Sequence, residues 1–192
     1  MTLAVGDKKL TKPLRVENDP RVRVTDAELV AQYTSSTSMQ ALTVRVAQIV
    51  SQVDDIMRQL TALSEQLRPG AGGRGGVAQQ GEALSAAYAA VNAAMTKLKT
   101  FKDDELARPL PGLGYRQYPR LREETQTLSG MIGRAPAPPT DPQMLRAKEL
   151  EAETTQAEAK LQAIINDDIR KVNSLLTGMP HVMTAPAPRV VP

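Results

Sequence analysis

The 192 residues contain no cysteine, no tryptophan, one phenylalanine (Phe101) and one histidine (His181). Without cysteine there are no disulfides and no thiolate metal sites. The compartment stays open, because many secreted bacterial proteins also lack cysteine. A single histidine near the C-terminus removes the general base of a Ser-His-Asp arrangement. It also removes the paired Glu-x-x-His motifs of a di-metal helical bundle. Aromatic residues make up 3 % of the chain against 41 % hydrophobic residues in all. Such a core is built from Leu, Ile, Val, Met and Ala, which suits helix-on-helix packing better than a β-sandwich. No apolar run reaches the length of about 18 residues that a membrane helix needs. An excess of one charge is missing too. With 24 basic and 21 acidic residues the net charge is +3, too even to argue for a nucleic-acid partner. The opening stretch MTLAVGDKKL has charges where a signal peptide needs its apolar centre, so no export signal is expected on it.

What is present is a long apolar seam. Met39, Leu42, Val46, Ile49, Val53, Ile56, Leu60, Leu63 and Leu67 follow one another at alternating steps of 3 and 4, a heptad stripe on one helix. Val50 and Met57 widen the stripe beyond what a two-stranded coiled coil uses, so it reads as a bundle wall. Thr25-Asp26-Ala27-Glu28 is a capping box that starts this helix at about 25, and Pro69-Gly70 stops it at about 68. The run Thr34 to Ser38 is a poor helix former, and a bend or fraying is expected there. PGAGGRGG (69–76) reads as a linker. It lacks the Gly-Lys-Ser/Thr ending of a phosphate loop. Helix two is expected at 77–107 with the stripe Leu84, Tyr88, Val91, Met95 and Leu98. Helix three is expected at about 117–133, with Tyr118, Leu121, Leu128 and Ile132 on its inner face. Helix four is expected at 140–177, capped by Thr140 and Gln143, with Leu150, Ala157, Leu161, Ile165, Ile169, Val172 and Leu176 facing inward. Residues 1–24 read as a β-hairpin, with Leu3 and Val5 in one strand, a turn at Gly6-Asp7, and Leu14 and Val16 in the next. Residues 179–192 carry four prolines and are expected to lack fixed structure.

The fold class expected is therefore all-α: an antiparallel four-helix bundle over 25–178, preceded by a short N-terminal hairpin. No catalytic, metal or cofactor-binding residue is indicated. The carboxylate clusters Asp54-Asp55, Asp103-Asp104-Glu105, Glu123-Glu124 and Asp167-Asp168 read as solvated faces. Asp168 is set apart by lying beside the apolar stripe, where a basic partner is expected. Tyr115, Arg116, Tyr118 and Arg120 form the one candidate interaction patch, because Tyr and Arg dominate binding hot spots. The same residues also fit simple packing at the bundle end.

The segment PLRVENDPRVRVTDAELVAQY (13–33) resembles the part that follows the β-propeller in large bacterial sortilin-like (VPS10-like) or BNR-repeat proteins, a group often labelled glycosyl hydrolases. The shared features are the Asp19-Pro20-Arg21 turn, the cap at Thr25, the turn Tyr118-Pro119, the cap Pro139-Thr140 and the ending Val172-Asn173-Ser174-Leu175-Leu176. The likeness extends over about 1–178. It implies a C-terminal helical appendage behind an immunoglobulin-like strand pair, with the propeller or that immunoglobulin-like domain of the parent protein as its partner, and an extracytoplasmic setting. It implies no activity for this chain, which has neither propeller repeats nor an aspartate box. The expected function is a non-catalytic structural or interaction module, monomeric and without a cofactor. The alternative is a coiled-coil oligomerisation adaptor, and behind that a hydrolase-associated domain with activity of its own.

Overall fold

A computed structural model describes residues 1–15, 17, 19, 21, 23–68, 78–109, 117–134, 136–176 and 178–184, with backbone alone for 78–80. The expected linker 69–76 and the loop 110–114 lie outside these residues. The chain is predominantly helical, with four helical runs and a two-stranded antiparallel hairpin.

The hairpin pairs β1 (Thr2–Val5) with β2 (Lys8–Thr11). Val5 opposes Lys8 and Leu3 opposes Leu10, so the turn is the two residues Gly6-Asp7. Gly6 has φ +57, which its lack of a Cβ permits and which tight hairpin turns demand. The second strand therefore follows the turn at once and ends before Pro13, which has no donor for a ladder. The expectation that placed Leu14 in the second strand is corrected; Val16 lies outside the described residues.

The first helix, α1 (Asp26–Leu67), starts from the expected capping box. Glu28 N–H donates to Thr25 Oγ1, and Thr25 N–H donates to the Glu28 carboxylate at 2.8 Å. That backbone donation, with the Thr25 hydroxyl, holds the Glu28 carboxyl below its usual range. A Thr cap is worth about 1 kcal/mol. The expected fraying at 34–38 does not occur, and the helix runs through without a break. Thr37 turns its hydroxyl onto the Tyr33 carbonyl at 2.9 Å, and the neighbouring turn is tied down where Gln32 Nε2 donates to Ile132 O at 3.0 Å. All nine seam residues are buried, with Val50 beside them.

Helix α2 (Ala78–Phe101) runs on through a π-helical turn, Lys102–Leu106, closed by the Ala107 N–H on the Lys102 carbonyl at 2.9 Å. Its buried face is Ala87, Val91, Ala94, Leu98 and Phe101. Of the expected stripe, Val91 and Leu98 are buried, Tyr88 and Met95 are partly buried, and Leu84 is exposed, so the buried face is turned toward Ala87 and Ala94. Alanine at 87 and 94 lets α2 approach α1 closely, and larger side chains are pushed to the flanks. Helix α3 (Leu121–Arg134) buries Leu121, Thr125, Leu128 and Ile132. Helix α4 (Asp141–Ile164), capped by Thr140 and Gln143 as expected, passes through a second π turn, Ile165–Ile169, into α5 (Arg170–Leu175).

The contacts order these runs along α1. Asn92 bonds Ser64 at 3.1 Å and Lys102 pairs with Asp54, which sets α2 along the C-terminal half of α1. Ile132 at Gln32 sets α3 along the N-terminal half. At about 1.5 Å per residue, α1 is about 63 Å long, and α2 with its π turn plus α3 reaches about 64 Å. The short α3 thus follows α2 along α1 instead of lying beside it. The α4–α5 run packs on α1 and α3 above and on α2 below.

Both π turns serve the seam. On α2 the buried positions step from Phe101 to Leu106, and on α4–α5 from Ile164 to Ile169. Each is a step of five where an α-helix supplies three or four. The added residue brings Ile169 inward in place of Asp168, which lies at the rim.

Candidate functional site

The expected patch at the α2–α3 joint divides into unlike parts. Tyr115 and Arg116 lie outside the described residues. Tyr118, expected on the inner face of helix three, is 83 % exposed. It precedes the helix and is not carried inward by its turn; its carbonyl accepts from Arg108 Nε at 3.4 Å. Arg120 is half-buried and donates Nε to the Asp103 carbonyl of the first π turn at 2.9 Å. Glu123 completes the joint. Its Oε2 accepts the Arg120 N–H at 3.0 Å and the Arg108 N–H at 3.2 Å, while Oε1 accepts from Arg122 Nε at 2.9 Å. Glu123 therefore caps the first turn of α3 and ties it to the end of α2. In this setting Arg120 is a fastening of the joint, and Tyr118 is a separate exposed ring.

A second place lies between the two π turns. Lys97, Thr100, Phe101 and Glu105 from one side and Lys160, Ala163 and Ile164 from the other line a groove of about 490 Å³. Its floor is apolar. Its walls are cross-helix ion pairs, Lys97 Nζ to Asp168 Oδ2 and Lys160 Nζ to Glu105 Oε2, each at 2.6 Å. Asp168 thus has the basic partner its position asked for. Being largely exposed, such pairs add about 0.2–1 kcal/mol each, so they set alignment more than stability. Further along, Arg146 gathers Glu124, Glu149 and Glu153 within 3.0 Å. Hydrogen bonding to Glu153 first, then to Glu124 and Glu149, raises its pKa further above the ordinary arginine range. Arg45 is raised in the same way by its hydrogen bonds to Glu158. The two guanidinium groups stay charged at any ordinary pH, which suits fastening and does not suit proton transfer.

Chemistry of other kinds is thinly represented. Among the described residues no group of three or more His, Asp or Glu side chains is placed to hold a metal ion. His181 is exposed. No described helix is long and apolar enough to cross a membrane.

The residues that sequence reasoning missed are neutral amides. Asn173, Gln59 and Gln52 hold the backbone of residues 182–184 against the helices, and Val182 is 4 % exposed. The reading of 179–192 as lacking fixed structure is corrected for 179–184; 185–192 lie outside the described residues. A signal was available, since Gln52 and Gln59 stand seven apart and flank seam residue Ile56. No family model matches the chain, and no curated protein or solved structure matches it either.

Proposed function

We propose that this chain is a non-catalytic structural and interaction module: a closed antiparallel helical bundle carried as the C-terminal appendage of a propeller-bearing protein. The expected four helices would then form three rods, with α2 and α3 sharing one. The observation that carries the reading is the hairpin. Leu3, Val5 and Leu10 are 58, 69 and 62 % exposed and fall on one face of the ladder. A two-stranded hairpin is marginal in water, so an uncovered apolar face calls for a further sheet, such as the immunoglobulin-like strands of a parent protein. Between the hairpin and α1, Arg21 N–H donates to Asp19 Oδ1 at 2.9 Å, and the guanidinium grips the same carboxylate at 2.6 Å. The upstream reading frame is the test. In-frame, aromatic-rich β repeats are expected; a stop codon and ribosome site directly before Met1 would remove the appendage while leaving the bundle.

A coiled-coil adaptor is the second reading. Val30 and Tyr33 favour it, since they stand 64 and 71 % exposed on the first turns of α1. Against it, Val46, Val53, Ile56 and Leu60 are fully covered within one chain. Light scattering separates the two. A monomer is expected, and a stable dimer lost in Val30→Asp plus Tyr33→Asp with helicity intact would establish the adaptor.

A further inference from the structure

After α5 the chain reverses and is read by side chains as one strand is read by another. Gly178, at φ +76, makes the reversal, and the Met179 N–H follows it onto the Leu176 carbonyl at 3.3 Å. Asn173 then takes both backbone groups of Val182: the Val182 N–H donates to Oδ1 at 2.7 Å, and Nδ2 donates to the Val182 carbonyl at 3.1 Å. Gln59 does the same for Met183, accepting its N–H at 2.7 Å and donating to its carbonyl at 2.9 Å. Gln52 Nε2 donates to the Thr184 carbonyl at 2.6 Å. A primary amide offers one acceptor and two donor hydrogens, enough to pair both backbone groups of one residue, as a neighbouring strand would. Here the partners come from α5 and α1, so the segment bridges two rods.

The recognition is selective at one position. Val182 is buried in the core cluster and Met179 packs partly against it. Met183 is 67 % exposed and His181 is exposed. No ion pair ties residues 179–184 to the rest of the described chain. The hold therefore rests on one aliphatic anchor and a short row of hydrogen bonds to backbone.

We propose that the face formed by Asn173, Gln59 and Gln52 is a peptide-binding groove for a neutral, non-helical segment with one small aliphatic anchor. Residues 179–184 are its resident and displaceable occupant. Because the occupant is tethered, its effective concentration is in the millimolar range, and a free competitor meets that barrier in the unaltered chain. Removing the anchor vacates the groove without touching its walls.

The test uses the full chain and a blocked, labelled peptide, Met-Pro-His-Val-Met-Thr. Fluorescence anisotropy should show Val182→Asp binding this peptide at least about tenfold more tightly than the unaltered chain. The peptide with Asp at the Val position should not bind. Adding Gln59→Ala and Asn173→Ala to the Val182→Asp chain should weaken binding by about tenfold or more. Equal binding by Val182→Asp and the unaltered chain overturns the proposal. Should Val182→Asp lose helicity by circular dichroism, hydrogen exchange on the unaltered chain decides. The Val182 and Met183 amides must be protected, and millimolar peptide must speed their exchange. Unprotected amides, or exchange indifferent to the peptide, overturn it. A dimer by light scattering that Val182→Asp abolishes also overturns it, because the occupant would then come from a second copy.

Discussion

The hairpin and the segment 179–184 are both non-helical stretches at the margins of a helical protein, and they are held by opposite means. The hairpin satisfies itself. Its ladder pairs β1 only with β2, and every residue in both strands is exposed. The C-terminal segment has no strand partner, yet it buries Val182 and shares its backbone groups with three helix side chains. Regular secondary structure and membership of the fold are therefore separate properties here. The hairpin has good local geometry and no core. The segment has no ladder but places Val182 in the core. Physically, what admits a segment is apolar burial plus partners for its backbone groups, wherever those partners originate.

Substitutions sharpen this contrast, and urea unfolding followed by helical circular dichroism reads all of them. Ile56→Ala, in the seam between Gln52 and Gln59, should cost about 2–5 kcal/mol and sets the scale for the core beneath the segment. Val182→Asp should cost about 1.5–3 kcal/mol, the value of burying one such side chain. A cost near zero would mean that the segment is only laid on the surface. Gln59→Ala should cost about 1 kcal/mol, since its bonds to Met183 are partly open to water. Leu3→Asp with Leu10→Asp should change helix unfolding by no more than about 0.5 kcal/mol. A larger loss would show the hairpin packed on the helices and erase the contrast.

Much of the helical architecture is legible in the residues. The step pattern from Met39 to Leu67 picks out buried positions because one continuous helix keeps its phase. Thr25 and Thr140 mark helix starts because a capping box is a local device, complete within four residues. What escapes is what depends on distance between elements. Leu84 satisfies the stripe of α2 as well as Ala87 does, and only the close approach to α1 chooses alanine. The side-by-side placement of four helices was not excluded by pattern, whereas the short span of α3 sets it after α2. At the candidate patch, Tyr118 and Arg120 are adjacent in composition terms, but one stands before the helix and the other bonds the Asp103 carbonyl of another element. The spacing of Gln52 and Gln59 marks a shared face of α1, but their joining with Asn173 does not show in the pattern, because the segment they hold is far from α1 in sequence.

The π turn at Ile165–Ile169 has a consequence for length variation. In an ordinary helix, deleting one residue rotates everything downstream by about 100° and turns the apolar face outward. Here the helix already carries one residue more than its buried pattern needs between Ile164 and Ile169. Deleting exposed Asp167 would shorten that step to four and leave Ile169, Val172 and Leu176 facing inward. The same holds for the turn Lys102–Leu106 on α2. Among the described residues, these π turns are two places along the rods where losing a codon should leave the interior in phase.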